Sequence, residues 1–355
     1  MRRAAAERPR TGRDGVVQTP VGAVPRVGTR LTMRDRSRSW AARWAIGRAE
    51  HLVEAGLYAV GDPSPESPVL VSANYGMSFD RLRAALHGRD AWLLVLDTRG
   101  INVWCAAGKG TFGTDELVHR VQATGLERVV THRTLIVPQL GAPGVAAHVV
   151  TQACGFRVTY GPVRAEDLPA FLDAGSKATP AMRRVRFGVA DRAVLVPVEL
   201  VLGTRNALLL AAALLLLGGL GRDLYSLAGV RAVGLPSAAL LLAAFALSAT
   251  LGPLLLPWLP GRAFAIKGAA LGAALALAVP FAVPSLGALH LAAWGLLVPA
   301  VASFTLLNFT GATPYTSLSG VLLEMRRALP LQATAGGLAL LLWLVGLFLP
   351  TEVRP

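Results

Sequence analysis

The distribution of apolar residues along the chain constrains the fold more than any other feature. Up to about residue 200, charged residues, turn residues and short apolar runs alternate; beyond residue 206, long stretches of Leu, Ala, Val and Gly carry few charges. A helix needs roughly 20 apolar residues to cross a bilayer. We therefore predict a soluble domain over 40–203 and a transmembrane domain over 204–355, with spans at 206–221, 236–259, 264–284, 286–307 and 331–349.

The basic residues near these segments predict their orientation. Most of them fall on one side of the predicted membrane: Arg183, Arg184, Arg186, Arg262, Lys267, Arg326 and Arg327. By the positive-inside rule that side is the cytoplasm. We therefore expect a multi-pass protein of the inner membrane with its soluble domain in the cytoplasm. The first span is short unless its helix extends back past Arg205, whose side chain can reach the interface.

Residues 1–39 are rich in arginine, in a chain whose net charge is +14. Basic runs of this kind occur in proteins that bind nucleic acids or anionic membranes. Because the arginine bias continues along the chain, we predict a disordered basic leader and no nucleic-acid partner. Contact with anionic lipid headgroups is the alternative. No apolar stretch follows the first arginines, which argues against a secretory signal peptide.

The soluble part alternates short apolar runs with helical stretches. We predict strands at 68–74, 91–97, 134–138, 156–160 and near 193–197, and helices at 40–59, 78–86, 108–124, 148–153 and 165–174. This alternation predicts an α/β fold with a mostly parallel sheet covered on both faces. Ligands of such sheets bind beyond the carboxyl ends of the strands. Here those ends carry Asn74, Thr98, the turn 141–144, and Gly161 with Pro162.

The segment 97–114 does not match the common nucleotide-binding motifs. A P-loop requires glycine where Val103 stands, and serine or threonine where Gly110 stands. The glycines at 108, 110 and 113 have the spacing of a dinucleotide fingerprint, but they begin about ten residues beyond their strand rather than directly after it. Both nucleotide hypotheses are therefore disfavoured.

Cys105 lies in the same segment, where the chain leaves a strand and enters a helix. A lone cysteine is often a small buried apolar residue. However, a nearby cation such as Lys109, or a helix N-terminus, favours the thiolate, which is a soft ligand for a transition metal. Cys154 lacks such surroundings, and we interpret it as structural. Two cysteines are too few for a four-cysteine iron–sulfur site.

The segment 102–109 reads Asn-Val-Trp-Cys-Ala-Ala-Gly-Lys. It resembles the signature of the corrinoid protein of the bacterial mercury-methylation pair. The likeness extends over 71–75, 96–98, 110–114, 138–145, 155–163 and the apolar half. The soluble domain is also similar to the large subunit of the corrinoid iron–sulfur protein, whose cysteine-ligated cluster is absent here. The resemblance implies a Rossmann-like corrinoid-binding domain with a cap helix, whose cysteine, here Cys105, ligates cobalt from the lower face.

The resemblance and the fold position imply the residues that surround the corrinoid. They are Thr98, Asn102, Val103, Trp104, Cys105, Ala106, Ala107, Gly108, Lys109, Gly141, Gly144, Gly161 and Pro162. Two roles stay open, because Trp104 can equally be a core aromatic and Thr98 can equally cap the loop before the helix. Histidine ligation through Asp-x-His-x-x-Gly is excluded, because none of the six histidines has Asp two residues before it.

The function implied by the resemblance is methyl transfer from a methylated corrinoid to Hg(II), giving methylmercury. The alternative is a membrane-bound corrinoid methyl carrier of one-carbon metabolism with a different acceptor. The expected partners are a methyl-folate-linked methyltransferase as methyl donor and a ferredoxin with 4Fe–4S clusters as electron donor. The hydroxyl-rich loop 308–327 is expected to lie at the membrane surface, with docking or metal passage as the alternative.

Overall fold

A computed structural model describes residues 15–222 and 224–349. The chain divides into two compact units, Met1–Val185 and Arg186–Pro355. The division comes earlier than the boundary expected after residue 203, because the helical half already begins at Val189.

The first unit is built on one seven-stranded sheet. Its strands are β1 (Gly15–Thr19), β2 (Gly22–Arg26), β3 (Gly56–Val60), β4 (Val69–Ala73), β5 (Ala91–Leu96), β6 (Thr134–Val137) and β7 (Arg157–Tyr160). Their order in the sheet is β1-β2-β3-β5-β4-β6-β7. Strands β5, β4, β6 and β7 are parallel, whereas β3 runs antiparallel to β5 and β1 pairs antiparallel with β2. The sheet is therefore mixed: β4 to β7 form one parallel set, as predicted, and β2 also pairs in parallel with β3.

Helices cover both faces of this sheet. They are α1 (Met33–Arg43), α2 (Gly76–Ala85), α3 (Val103–Gly108), α4 (Thr114–Ala123), α5 (Leu126–Val129), α6 (Ala147–Cys154) and α7 (Leu168–Asp173). Short 3-10 turns occur at Arg48–Glu50, Gln139–Gly144 and Ala165–Asp167. Alternate residues of the central strands enter different cores: Val69, Val71, Trp92 and Leu94 pack in one, and Leu70, Leu93 and Val95 in the other. Because side chains alternate along a strand, two cores require a sheet covered on both sides.

The strands predicted at 68–74, 91–97, 134–138 and 156–160 are confirmed, but the predictions for 40–59 and 193–197 were wrong. The helix predicted at 40–59 ends at Arg43, because Ala45 and Gly47 both take positive φ angles, and β3 follows. The strand predicted near 193–197 is helical, with a proline in the first turn of the next helix, where proline is tolerated. Apolar runs of this length do not by themselves distinguish a strand from a buried helix.

Part of the predicted leader also has regular structure. From Gly15 onward it forms the β1–β2 hairpin and then α1, which begins at a capping box made by Thr32 and Asp35. Residues 1–14 of the leader lie outside the described residues. The prediction of a disordered leader is therefore corrected for 15–39.

The second unit is helical. Its main elements are α8 (Val189–Ala193), α9 (Val196–Leu217), α10 (Leu227–Gly229), α11 (Leu235–Leu255), α12 (Phe264–Ala276), α13 (Val279–Ala282), α14 (Ala288–Phe309) and α15 (Leu318–Phe348). A π-helical turn at Val230–Gly234 leads into α11, a 3-10 turn at Thr310–Ala312 follows α14, and Leu220–Gly221 pairs with Leu224–Tyr225. Helices α12 and α14 pack closely because Gly268 and Gly272 leave room for the α14 backbone.

Five segments in the described part of this unit are long and apolar enough to cross a membrane. They are Val189–Leu217, Leu227–Leu255, Phe264–Ala282, Ala288–Ala312 and Ser319–Phe348. Five apolar helices were predicted, and the structure confirms them. The first extends back past Arg205, which removes the concern about its length. The last begins well before residue 331, so much of the predicted loop 308–327 is helix.

Candidate functional site

The carboxyl ends of β4, β5, β6 and β7 lie at one edge of the sheet, because these strands are parallel. We call this the carboxyl edge. Asn74 follows β4, Asp97 and Thr98 follow β5, and Gly161 follows β7. A tight turn after β5 leads into α3, the helix that carries Cys105. The candidate site is therefore at the edge where α/β sheets usually bind their ligands.

Asn74 organises the turn between β5 and α3. Its Oδ1 accepts hydrogen bonds from the backbone N–H groups of Thr98 and Gly100, each at 3.0 Å, and its Nδ2 donates to Asp97 at 3.1 Å. The Thr98 hydroxyl is fully buried, 2.9 Å from Asn74 Oδ1 and 2.6 Å from the Ile101 carbonyl oxygen. These contacts favour the loop-capping role of Thr98 over a bond to a ligand.

Asn74 was absent from the site residues inferred from sequence. The sequence signal was available, because an amide side chain stood at the end of a mostly apolar buried strand. Buried polar side chains of this kind are usually hydrogen-bonded. What the sequence did not show was its partner, which lies more than 20 residues away on the neighbouring strand.

Helix α3 begins at Asn102, whose side chain caps it. The Asn102 Oδ1 accepts from the backbone N–H of Cys105 at 2.9 Å, which is the usual N-cap arrangement. Cys105 is the third residue of the helix, so its backbone position is set directly by this bond. Lys109 ends the helix, and Gly110 follows with a φ of 78°. The cap therefore fixes the residue on which the candidate chemistry depends.

The two sides of α3 have different surroundings. Val103, Ala106 and Ala107 are buried in the core under the sheet face. Cys105 is half-buried, Trp104 is 36% exposed, and the remaining residues of the outward side, Gly108 and Lys109, are exposed. The residues of 102–109 that were expected to surround a corrinoid therefore lie on two different sides of the helix. Trp104 is not a core aromatic in this structure.

The turn Gln139–Gly144 packs directly against α3 and against Phe112, four residues beyond the helix. A Cβ on Gly144 would overlap the carbonyl oxygen of Phe112 and lie 3.1 Å from the Cα of Ala107. A Cβ on Gly141 would lie 2.5 Å from the fully buried ring of Phe112. These two glycines are therefore required for close packing beside α3. From sequence, they had been expected to surround the ligand.

The loop after β7 completes the carboxyl edge. Gly161 and Pro162 are buried; the Gly161 N–H donates to Val137 at 2.8 Å, and the Pro162 carbonyl accepts from Gln139 at 3.4 Å. The loop is therefore tied to the end of β6 and to the turn that contacts α3. The structure brings α3, the 139–144 turn and residues 161–162 together, as the sequence analysis expected.

The donor set at this edge suits a metal held mainly by a cofactor. Cys105 brings one soft sulfur, and within the described ranges no group of three His, Cys, Asp or Glu residues could hold a metal ion. A metal on Cys105 would then take its other ligands from a macrocycle or a similar group. At Gly108, an added Cβ would meet nothing within 4 Å, so the outward side of α3 has room for a broad ligand. The residues present therefore fit a metal-bearing planar cofactor.

Cys154 has different surroundings. It is the last residue of α6, and its Sγ donates to the Val150 carbonyl at 3.2 Å. Its side chain is half-buried against the core that also contains α3. Gly155 ends the helix with a φ of 74°. These contacts support the structural interpretation of Cys154.

The hydroxyl groups after α14 bond mainly to their own backbone. The Thr310 hydroxyl donates to Leu307, the Thr313 hydroxyl donates to Thr310 at 2.9 Å, and Ser317 caps α15 by accepting from Gly320 at 3.2 Å. Such bonds stabilise a short connection between helices. They favour the surface-loop interpretation of this segment over a role in metal passage.

Comparison with known proteins places the similarity in the first unit. The family model described as CO dehydrogenase/acetyl-CoA synthase delta subunit matches residues 47–172. The gamma subunit of the acetyl-CoA decarbonylase/synthase complex from Methanopyrus kandleri is 35% identical over 123 residues, 34% of this chain and 26% of that subunit. Its counterparts from Archaeoglobus fulgidus and Methanothermobacter thermautotrophicus are 31% identical and are covered over 26% and 28% of their lengths.

The similarity covers the carboxyl edge but not the whole protein. The matched range includes Asn74, the α3 helix and the loop at 161–162, and it leaves the five apolar helices outside. The chain spans about a quarter of the length of these curated relatives. Their descriptions name an acetyl-CoA complex and do not name mercury. The similarity therefore concerns the candidate site and leaves the methyl acceptor open.

Proposed function

We propose that the first unit binds a corrinoid at the carboxyl edge and that the protein is a membrane-bound corrinoid methyl carrier. The observation that carries this proposal is the position of Cys105: a half-buried thiol on the outward side of a capped helix, at the ligand-binding edge of an α/β sheet. The similarity of residues 47–172 to acetyl-CoA complex subunits supports the same class of function.

In this proposal each residue of the site has a specific task. Cys105 would hold cobalt through its sulfur, and Asn102 holds the Cys105 backbone in place. Trp104, Gly108 and Lys109 border the ligand on the outward side of α3. Behind them, Val103, Ala106 and Ala107 support α3 from inside, and Thr98 caps the loop before α3. A further group walls the edge: Gly141, Gly144, Gly161 and Pro162. When bound, the corrinoid supplies a cobalt centre that carries a methyl group between a donor and an acceptor.

The thiol of Cys105 also affects which kind of methyl acceptor is favoured. A thiolate donates more electron density to a metal than an imidazole does, so it favours release of a methyl group with its bonding electrons to an electrophile. The similarity to acetyl-CoA complex subunits supports an acceptor in one-carbon metabolism better than it supports mercury. The second candidate acceptor is Hg(II), which the likeness of the segment 102–109 to the mercury-methylation signature favours.

The proposal includes two protein partners and a membrane location. The chain has two cysteines, so low-potential electrons have to come from another protein, for which we propose a ferredoxin with 4Fe–4S clusters. A methyl-folate-linked methyltransferase is the proposed methyl donor. With five spanning helices, a soluble unit in the cytoplasm places the C-terminus on the opposite side of the inner membrane.

The location is tested by tag accessibility in intact cells. A C-terminal tag is expected to be cleaved by external protease, while an N-terminal tag is expected to be protected. Protection of both tags would mean an even number of spans and would contradict the proposed arrangement.

Cobalt content tests the central proposal. Full-length protein purified from a corrinoid-supplied host is expected to contain cobalt in a one-to-one ratio, and the same preparation from a corrinoid-free host is expected to contain none. Cobalt-free protein from the supplied host would overturn the proposal. The loaded protein is then charged with isotopically labelled methyl groups and offered Hg(II). Formation of labelled methylmercury would identify Hg(II) as the acceptor. A methyl-loaded protein that does not react with Hg(II) would support a carrier of one-carbon metabolism.

A further inference from the structure

Helix α1 presents an apolar stripe away from the domain that carries it. Met33 is 79% exposed and Trp40 is 66% exposed, seven residues apart and therefore on one side of the helix. Trp44 continues this side, with its ring 5.8 Å from that of Trp40. The opposite side carries Asp35 and Ala42, also seven residues apart, and Ala42 is 1% exposed. The helix is thus amphipathic, but its large apolar residues face outward.

The inward side of α1 is firmly attached. The Asp35 carboxylate lies 2.8 Å from Nη2 of Arg83, whose side chain is fully buried and also donates to the Gly28 carbonyl at 2.6 Å. Burial acts to raise the pKa of Asp35, but hydrogen bonds from Thr32 and Arg83 outweigh it, and the pKa lies below its usual value. The ionised Asp35 therefore holds the helix in one orientation near neutral pH. The outward direction of Met33 and Trp40 is fixed by this attachment.

The segment that carries the apolar stripe is strongly basic. Between residues 30 and 48 the sequence contains a single acidic residue, Asp35, which pairs with Arg83. The same range contains six arginines, Arg30, Arg34, Arg36, Arg38, Arg43 and Arg48. Ile46, just beyond the helix, is 67% exposed and enlarges the apolar surface. The exposed apolar side chains therefore lie in a segment of strongly basic sequence.

We propose that α1 docks the first unit onto an anionic lipid surface. Interfacial helices combine bulky apolar residues, often tryptophan, with flanking arginine or lysine. Anionic leaflets attract each basic residue near the surface, and tryptophan is enriched at the level of the headgroups. A bilayer is close to every copy of this chain, because the same polypeptide contains five apolar helices able to cross one. Helix α1 also lies outside the segment that matches the family model, so that comparison does not assign this surface a role.

The experiment uses the full chain in lipid nanodiscs. A Met33→Cys variant, in a chain whose Cys105 and Cys154 are replaced by serine, carries a fluorophore on the outward side of α1. A matched Gln152→Cys variant carries the same label on an exposed position of α6 in the same unit. Headgroup nitroxide lipids quench the fluorophore when it approaches the surface. The two disc types contain phosphatidylcholine alone or phosphatidylcholine mixed with phosphatidylglycerol.

The expected result is strong quenching at position 33 in the anionic discs, weak quenching there in neutral discs, and little quenching at position 152 in either. An Arg36→Glu/Arg48→Glu variant should lower the ratio of docked to undocked protein by at least roughly 30-fold, because about 1 kcal/mol is lost with each basic residue and the new carboxylates are repelled as well. An Arg128→Glu/Arg157→Glu variant makes the same charge change elsewhere on the unit and should leave docking unchanged.

Three outcomes overturn the proposal. The first is a label at position 33 that stays unquenched in anionic discs. The second is equal quenching in neutral and anionic discs that is unchanged in the Arg36→Glu/Arg48→Glu variant. That result would show that the helix does not recognise anionic lipid through its charge. The third is a label at position 33 that is not quenched by the lipid discs but is shielded when an acidic protein is added. That result would assign the surface to a protein partner.

Discussion

Helices α3 and α6 belong to the same unit, contribute to the same core, and each carry one half-buried cysteine. Exposure therefore does not distinguish Cys105 from Cys154. Their positions along the helices do, because a helix that follows a parallel strand starts at the carboxyl edge and returns towards the opposite edge. Cys105 lies in the first turn of α3, and Cys154 is the last residue of α6. Of the two thiols, only that of Cys105 is therefore at the ligand-binding edge.

The local bonds of the two cysteines reinforce this difference. The Cys154 thiol is itself a donor to a carbonyl of its own helix, whereas at Cys105 it is the backbone N–H that bonds, to the Asn102 cap. The Cys154 sulfur is thus hydrogen-bonded within its own helix, whereas Cys105 is held through its backbone N–H. Comparing the two helices shows that a reactive thiol is recognised by its place in the topology and by what fixes its backbone. Three predictions test this comparison.

The largest expected effect comes from replacing each cysteine in turn. We expect Cys105→Ala to reduce methyl transfer on the order of a hundredfold or more, since even residues that only orient a metal ligand contribute ten- to a hundredfold. The visible spectrum of the bound corrinoid should shift as the sulfur ligand is lost. The cost in unfolding free energy should be about 1 kcal/mol, as for an ordinary substitution.

The control for this prediction is Cys154→Ala. It should leave both the spectrum and the transfer rate unchanged, since the Cys154 sulfur bonds only within its own helix in the described structure. An unchanged spectrum in Cys105→Ala, or the same loss in both variants, would show that Cys105 is a structural residue.

An intermediate effect is expected from two glycines that border these helices. Gly144→Ala places a Cβ against the Phe112 carbonyl and the Ala107 backbone, so it should cost about 1 to 3 kcal/mol and displace α3. Cobalt retention during purification should fall with it. Gly155→Ala meets nothing within 4 Å and should cost only about 1 kcal/mol, from its left-handed φ of 74°.

Thermal unfolding together with cobalt content separates the two glycines. Loss of cobalt in Gly144→Ala, with full retention in Gly155→Ala, is the expected pattern. Equal retention in both variants would mean that the close packing of the 139–144 turn on α3 does not support the site.

The smallest effect is expected from the cap of α3. Asn102→Ala removes the acceptor for the Cys105 N–H and should cost about 1 kcal/mol. Because the cap holds the backbone of the ligand residue, corrinoid affinity should also fall several-fold, about five-fold if the full 1 kcal/mol is expressed in binding. Asn102→Asp, which keeps an accepting oxygen, should restore most of it.

Thr151→Ala is the matched control on α6. It removes a hydroxyl that lies 3.0 Å from the Ala147 carbonyl and 3.1 Å from that of Phe156, at the far end of the sheet. We expect a similar small loss of stability with no change in corrinoid affinity, measured by titration of cobalt-free protein. A fall in affinity as large as that of Asn102→Ala would indicate a general loss of stability in place of a local effect of the cap.

The sequence by itself determined the features that depend on local patterns. Five apolar helices, the four buried strands of the parallel part, and a cysteine entering a helix after a strand were all visible, because each depends on residues close together in the chain. The likeness of 102–109 to a known signature was visible for the same reason. The place of Cys105 at the carboxyl edge followed from strand and helix order.

Only the tertiary structure decided which residues face which way. Val103, Ala106 and Ala107 lie in the core. Thr98 is buried against Asn74, and two glycines pack against Phe112, namely Gly141 and Gly144. The tertiary structure also replaced the end of the predicted 40–59 helix with the antiparallel strand β3. These outcomes depend on contacts between residues distant in sequence, and such contacts override local propensity because burial and hydrogen-bond pairing carry more free energy than helix or strand preference.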